Sequence, residues 1–119
     1  MKTSVPPDKL RLYERLVAAA GIDSKVNFGA SYTAVNGNMF SMISKHGVVG
    51  IRLSDEDRAA FREKYNAEIF RADPAWPPNP EYVAVPEKLL KNTKALTPYL
   101  ERSYQYALNL RPKKSPKKK

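Results

Sequence analysis

Residues 26–53 read VNFGASYTAVNGNMFSMISKHGVVGIRL, and this stretch decides the fold. It holds three short apolar runs, divided at Asn36-Gly37 and at Lys45-His46-Gly47. Asn-Gly between apolar runs is a strong hairpin signal, because a two-residue type I′ turn needs φ > 0 at both central positions. The runs predict three consecutive strands: Val26–Val35 with a kink at Gly29, Asn38–Ser44, and Val48–Leu53.

The second hairpin admits two registers. If Ser44 pairs with Val48, then Met39, Ser41 and Ile43 share a face with Val49, Ile51 and Leu53. If Lys45 pairs with Val48, Phe40 and Met42 join that face instead, since a slip of one residue exchanges the two faces of a strand. In both registers Asn38–Ser44 keeps large apolar groups on both faces. The second face is therefore expected to be covered, by the C-terminal helix or by another subunit.

Working outward, Asp8–Ala20 predicts a helix. Pro6-Pro7 restrict its entry, Gly21 stands where a C′ glycine belongs, and Leu10, Tyr13, Leu16, Val17 and Ala20 form one apolar stripe. After the strands, Ser54 is a good N-cap, with Asp55, Glu56 and Asp57 in the first turn where acids complement the helix dipole. Ala60, Phe61 and Tyr65 of this second helix face the sheet, and Asn66 is a stop. A short strand is expected at Glu68–Arg71. Asp73–Pro80 contains four prolines and is irregular. Glu81–Val85 reads as the last strand, and Pro86 opens a short helical turn through Leu90. Thr97-Pro98 reads as cap and N1 of a final helix, with Tyr99, Leu100, Ser103, Ala107 and Leu110 along one side. The order α-β-β-β-α-β-β-α predicts an α+β two-layer sandwich with a mainly antiparallel sheet.

The chain has 119 residues and no cysteine, which excludes disulfides, thiol nucleophiles and cysteine-ligated metals. Its first residues lack the apolar centre of a signal peptide, and no run approaches the ~18 apolar residues that span a bilayer. A cytoplasmic protein with no membrane association is the expectation. The formal charge is +9, but residues 111–119 hold six positive charges and no negative one. Residues 1–110 are nearly balanced, with 15 Lys+Arg against 12 Asp+Glu. The chain thus divides into a folded domain, 1–110, and a basic tail, 111–119, whose composition is that of a disordered segment.

Several motifs recur in a familiar order. They are Asn27-Phe28-Gly29-Ala30, then Val35-Asn36-Gly37-Asn38-Met39-Phe40, then Gly50-Ile51-Arg52-Leu53-Ser54-Asp55-Glu56-Asp57-Arg58. Val85-Pro86-Glu87 and Arg102-Ser103-Tyr104-Gln105-Tyr106-Ala107-Leu108 follow. In order and spacing, over about residues 10–110, the chain resembles the TfoX N-terminal domain family. Asn27 and Ala30 stand where the family motif has Met and a second Gly. The resemblance implies a module of transcription regulation that works with a DNA-binding partner protein. It marks Phe28, Gly29, Gly37, Phe40, Pro86 and Ser103 as family-motif positions of structural role.

No catalytic constellation stands out. His46 is the single histidine and lies in a predicted turn. Asp55, Glu56 and Asp57 are successive helix positions that point apart and cannot converge on one ion. Asn36-Gly37 lies between strands and is not a phosphate loop. Ser103 reads as a small group where the last helix meets the sheet. Trp76 reads as a lid on the core edge, with the proline-fixed loop around it as a small-ligand or enzyme site for the alternative. A non-catalytic interaction or regulatory module without metal or cofactor is expected, as a homodimer or bound to a protein partner. The alternative is a nucleic-acid-associated protein that binds phosphates nonspecifically through Arg111, Lys113, Lys114, Lys117, Lys118 and Lys119, by counterion release.

Overall fold

The structure, a computed structural model, describes residues 6–20, 27–28, 32–35, 37–44, 46–71, 77 and 79–110. The elements are α1 (Pro7–Ala19), β1 (Asn27–Phe28), β2 (Tyr32–Val35), β3 (Asn38–Ile43), β4 (Val49–Arg52), α2 (Asp55–Tyr65), β5 (Tyr82–Ala84), α3 (Glu87–Leu90) and α4 (Thr93–Leu108). The strands form one antiparallel sheet in chain order. The protein is an α+β fold, with helices on one side of that sheet.

Val35 pairs with Asn38 across a two-residue loop. Gly37 takes φ 79° there, a conformation that costs glycine little because it has no Cβ. In the second hairpin Ile43 pairs with Val49 and Met42 with Gly50, and the Ser44 amide donates to the Val48 carbonyl at 2.9 Å. The register that pairs Ser44 with Val48 is therefore the one adopted.

One irregularity shapes the sheet. Thr33 pairs with Ser41, but Ala34 pairs with Met39, so Phe40 is an extra residue in β3. Such a bulge puts two neighbouring side chains on the same face and strengthens the local twist. Phe40 and Ser41 accordingly both reach the helices. The Phe40 ring meets Tyr104 of α4 at 5.8 Å between centroids, and the Ser41 hydroxyl lies 2.7 Å from that of Tyr13 on α1.

Two rows cross the sheet. On the helix side, Thr33, Ser41, Ile51 and Val83 are successive partners, and all are fully buried. Tyr13, Leu16, Leu96, Leu100 and Ala107 pack over that side from α1 and α4. The Thr33, Ser41 and Tyr13 hydroxyls bond one another in this apolar setting, with Thr33 Oγ1 2.5 Å from Ser41 Oγ. Among the described residues, every buried side-chain nitrogen and oxygen has a partner. On the other side the row is Tyr32, Met42, Gly50 and Ala84.

Helix boundaries follow their caps. Ser54 Oγ accepts from the Asp57 amide at 3.3 Å, and Asn66 closes α2 in the left-handed conformation, φ 54°. Phe61 of α2 is fully buried, with the Tyr65 and Tyr99 rings each 4.9 Å from its centroid. At α4 the cap is Asn92, whose Oδ1 accepts from the Ala95 amide at 3.2 Å.

Several expectations need correction. Residues 26–35 do not form one strand. Asn27 pairs with Ala34 and Phe28 with Thr33, so the chain reverses and makes an additional hairpin. The strand expected at Glu68–Arg71 is a single bridge between Ile69 and Val83. The last helix begins at Thr93, four residues before Thr97, and Pro98 lies inside it. A proline in a helix interior costs about 3 kcal/mol; burial of Leu96, Leu100 and Ala107 offsets that cost. Pro86 is the N-cap of α3 rather than its first helical residue. Gly21, Gly29, Asn36, Trp76 and the tail lie outside the described residues.

Candidate functional site

The sheet face away from α1 and α4 is the candidate site. It was expected to be covered by the C-terminal helix or a second subunit, but α4 packs on the other face. Part of the outer face is covered by the connection between α2 and β5. The Phe70 amide donates to the Tyr82 carbonyl at 2.9 Å, which docks that connection on β5. The Phe70 ring then lies directly over Gly50, where any Cβ would come within 2.6 Å of it. Glycine at this position is thus required by close approach. Beyond Phe70 the row runs outward through half-buried Met42 to Tyr32, which is 41% exposed. Tyr32 is the exposed large apolar side chain among the described residues.

At the hairpin end, the same region deepens into a cleft of about 410 Å³ lined by Gly37, Met39, Arg52, Glu81 and Tyr82. Its geometry comes from β4–β5 pairing, which sets Arg52 opposite Tyr82. Arg52 donates from Nε to Glu81 Oε1 at 2.6 Å and from Nη1 to the Met39 carbonyl at 3.2 Å. The Tyr82 hydroxyl donates to the same carbonyl at 2.8 Å. The guanidinium carbon lies 5.8 Å from the centroid of the Tyr106 ring, a cation–π distance. Burial pushes the Tyr82 phenol up to about 12, with the Arg52 charge opposing it. Arg52 and Glu81 neutralise each other, so this end of the face offers a donor and an acceptor side by side without net charge.

The residues singled out in the sequence fall mostly elsewhere. Gly37 lines the cleft. Phe28 lies on β1 at the sheet edge. Phe40 and Ser103 are buried in the core, and Pro86 caps α3. Gly29 and the six tail cations Arg111, Lys113, Lys114, Lys117, Lys118 and Lys119 lie outside the described residues. His46 is exposed in the turn before Gly47, as expected. Asp55, Glu56 and Asp57 occupy the first turn of α2, where Asp57 pairs with Arg102 of α4 at 2.8 Å and Asp55 pairs with Arg58. Among the described residues no group of acids and histidines is placed to hold a metal ion. None of their helices is long and apolar enough to cross a membrane.

Sequence reasoning missed the Arg52–Glu81–Met39 arrangement. Its members are 13 and 29 residues apart, and only sheet pairing joins them. Tyr32 and Met42 carried a signal, the two-sided apolar character of the strands, but their row depends on register. No protein-family model, curated protein or solved structure matches the chain.

Proposed function

We propose that this domain is a non-catalytic interaction module whose working surface is the outer sheet face, and that the occupant of the face is a second copy of the chain. The observation that carries the reading is the row Tyr32–Met42–Gly50–Ala84, which among the described residues has no helix over it. Tyrosine and methionine are favoured in the centres of interfaces, where they bury large areas. Charge argues for self-association. The chain carries +9 overall, yet on this face Arg52 is matched by Glu81. Two such neutral faces meet across a two-fold axis without like-charge repulsion. The resemblance to the TfoX N-terminal domain family points the same way, toward a regulatory module that acts through protein contacts.

Sedimentation equilibrium of the full chain, in about 0.3 M salt to screen the basic residues, tests this. A dimer is expected. The double variant Tyr32→Glu/Met42→Glu should sediment as a monomer with an unchanged far-UV circular dichroism spectrum. A wild-type monomer at all concentrations, or a dimer indifferent to these substitutions, overturns the reading.

A further inference from the structure

On the opposite layer of the molecule, a groove of about 460 Å³ runs between α2 and α4. This is within the ~300–1,000 Å³ range of small-ligand sites. Its charged lining is Lys64, Lys94 and Arg102 against Asp57. Asp57 is paired with Arg102 at 2.8 Å, and the Arg102 side chain is still 63% exposed. Among the described residues Lys64 and Lys94 have no ion-pair partner, so the groove is left with a double positive charge. The same lining contains two aromatic rings. Tyr65 and Tyr99 stand 6.0 Å apart at 80°, each held at 4.9 Å by the buried ring of Phe61. Lys64 Nζ lies 5.5 Å from the Tyr65 centroid. Pro98 also lines the groove, and without an N–H it leaves the Lys94 carbonyl without its i+4 donor. One groove therefore presents cations and fixed aromatic surface.

We propose that this groove binds a nucleotide unit, its phosphate against Lys64, Lys94 and Arg102 and its base against Tyr65 and Tyr99. Cations that neutralise phosphate and aromatic rings that take a base face are the two components of single-strand recognition. An acidic peptide would use the cations and leave the tyrosines idle. The proposal is independent of the sheet-face dimer, which lies on the other layer. The nucleotide unit comes either free or within a single strand.

The test uses the full chain and two probes, fluorescein-labelled dT12 read by anisotropy and thymidine 5′-monophosphate read by quenching of tyrosine fluorescence. The groove variant is Lys64→Gln/Lys94→Gln, and the comparison variant is Lys117→Gln/Lys118→Gln/Lys119→Gln. Both groove lysines are exposed, and thermal unfolding verifies that the variant folds. The groove variant should bind dT12 at least fivefold more weakly than wild type in low salt. Its log–log salt slope should be shallower by about 1.4, at about 0.7 per charge. Loss of monophosphate quenching as well assigns the free nucleotide; loss of dT12 binding alone assigns the strand. Unchanged dT12 affinity in the groove variant overturns the proposal. So does a phosphoserine peptide that binds more tightly than dT12.

Discussion

The Ser103 hydroxyl donates to the Phe40 carbonyl at 2.9 Å, joining α4 to the bulged residue of β3 across 63 residues of chain. Both residues are fully buried. A bulge takes its extra residue out of the regular ladder pairing, and here a side chain meets that residue's carbonyl. Ser103→Ala should cost about 1–3 kcal/mol, the cost of an unpaired buried acceptor. Urea unfolding measures it. A loss below a few tenths of a kcal/mol would mean that water replaces the serine.

Gly50 and Phe70 form a second long-range pair. Gly50→Ala places a methyl group within 2.6 Å of the Phe70 ring and should destabilise the fold by about 1–3 kcal/mol. Phe70→Leu makes room, so the double variant should lose less than the sum of the two single losses. Additive losses in a double-mutant cycle would show that the two positions do not interact.

The start of α4 distinguishes the sequence signal from the folded outcome. Asn92→Ala should cost about 1 kcal/mol, because Asn92 holds the Ala95 amide. Thr97→Ala should cost less, since Thr97 already bonds within the helix, to the Thr93 carbonyl at 2.8 Å. If the helix began at Thr97, the ranking would be reversed.

Alkaline pH should weaken the fold through Tyr13. Burial raises its phenol from 10.0 to about 12, while its hydrogen bonds to Ser41 and Thr33 oppose the rise. The unfolded chain loses this proton near pH 10 and the folded chain keeps it. The stabilising contribution is therefore complete below about pH 10 and is lost between pH 10 and 12. Each such group steepens the fall by about 1.4 kcal/mol per pH unit. Tyr82, raised to about 12 by burial, adds to the same window. Thermal unfolding between pH 8 and 11.5 should show a shallower decline for Tyr13→Phe than for wild type. Identical profiles would remove Tyr13 as a contributor.

Local chemistry made much of the fold legible. Asn36-Gly37 announced a hairpin, Ser54 with three following acids announced the start of α2, and Asn66 marked its end. Each is a short-range effect in which a residue meets its own neighbours' backbone. Errors arose where distant contacts overrode local preference. Pro98 reads as a helix start, yet burial of α4 on the sheet keeps the helix intact through it. Residues 26–35 read as one strand kinked at Gly29, and the reversal shows only in the pairing of Asn27 with Ala34.

By itself the amino-acid order determined the class of fold and the position of most element ends, because capping, turn and periodicity act over a few residues. Tertiary structure alone decided the register of β3 on β4, the extra residue at Phe40, and the meeting of Arg52 with Glu81. It also decided that Lys64 and Lys94 share one groove. These depend on which strands and helices lie side by side, and packing of the whole core selects that arrangement.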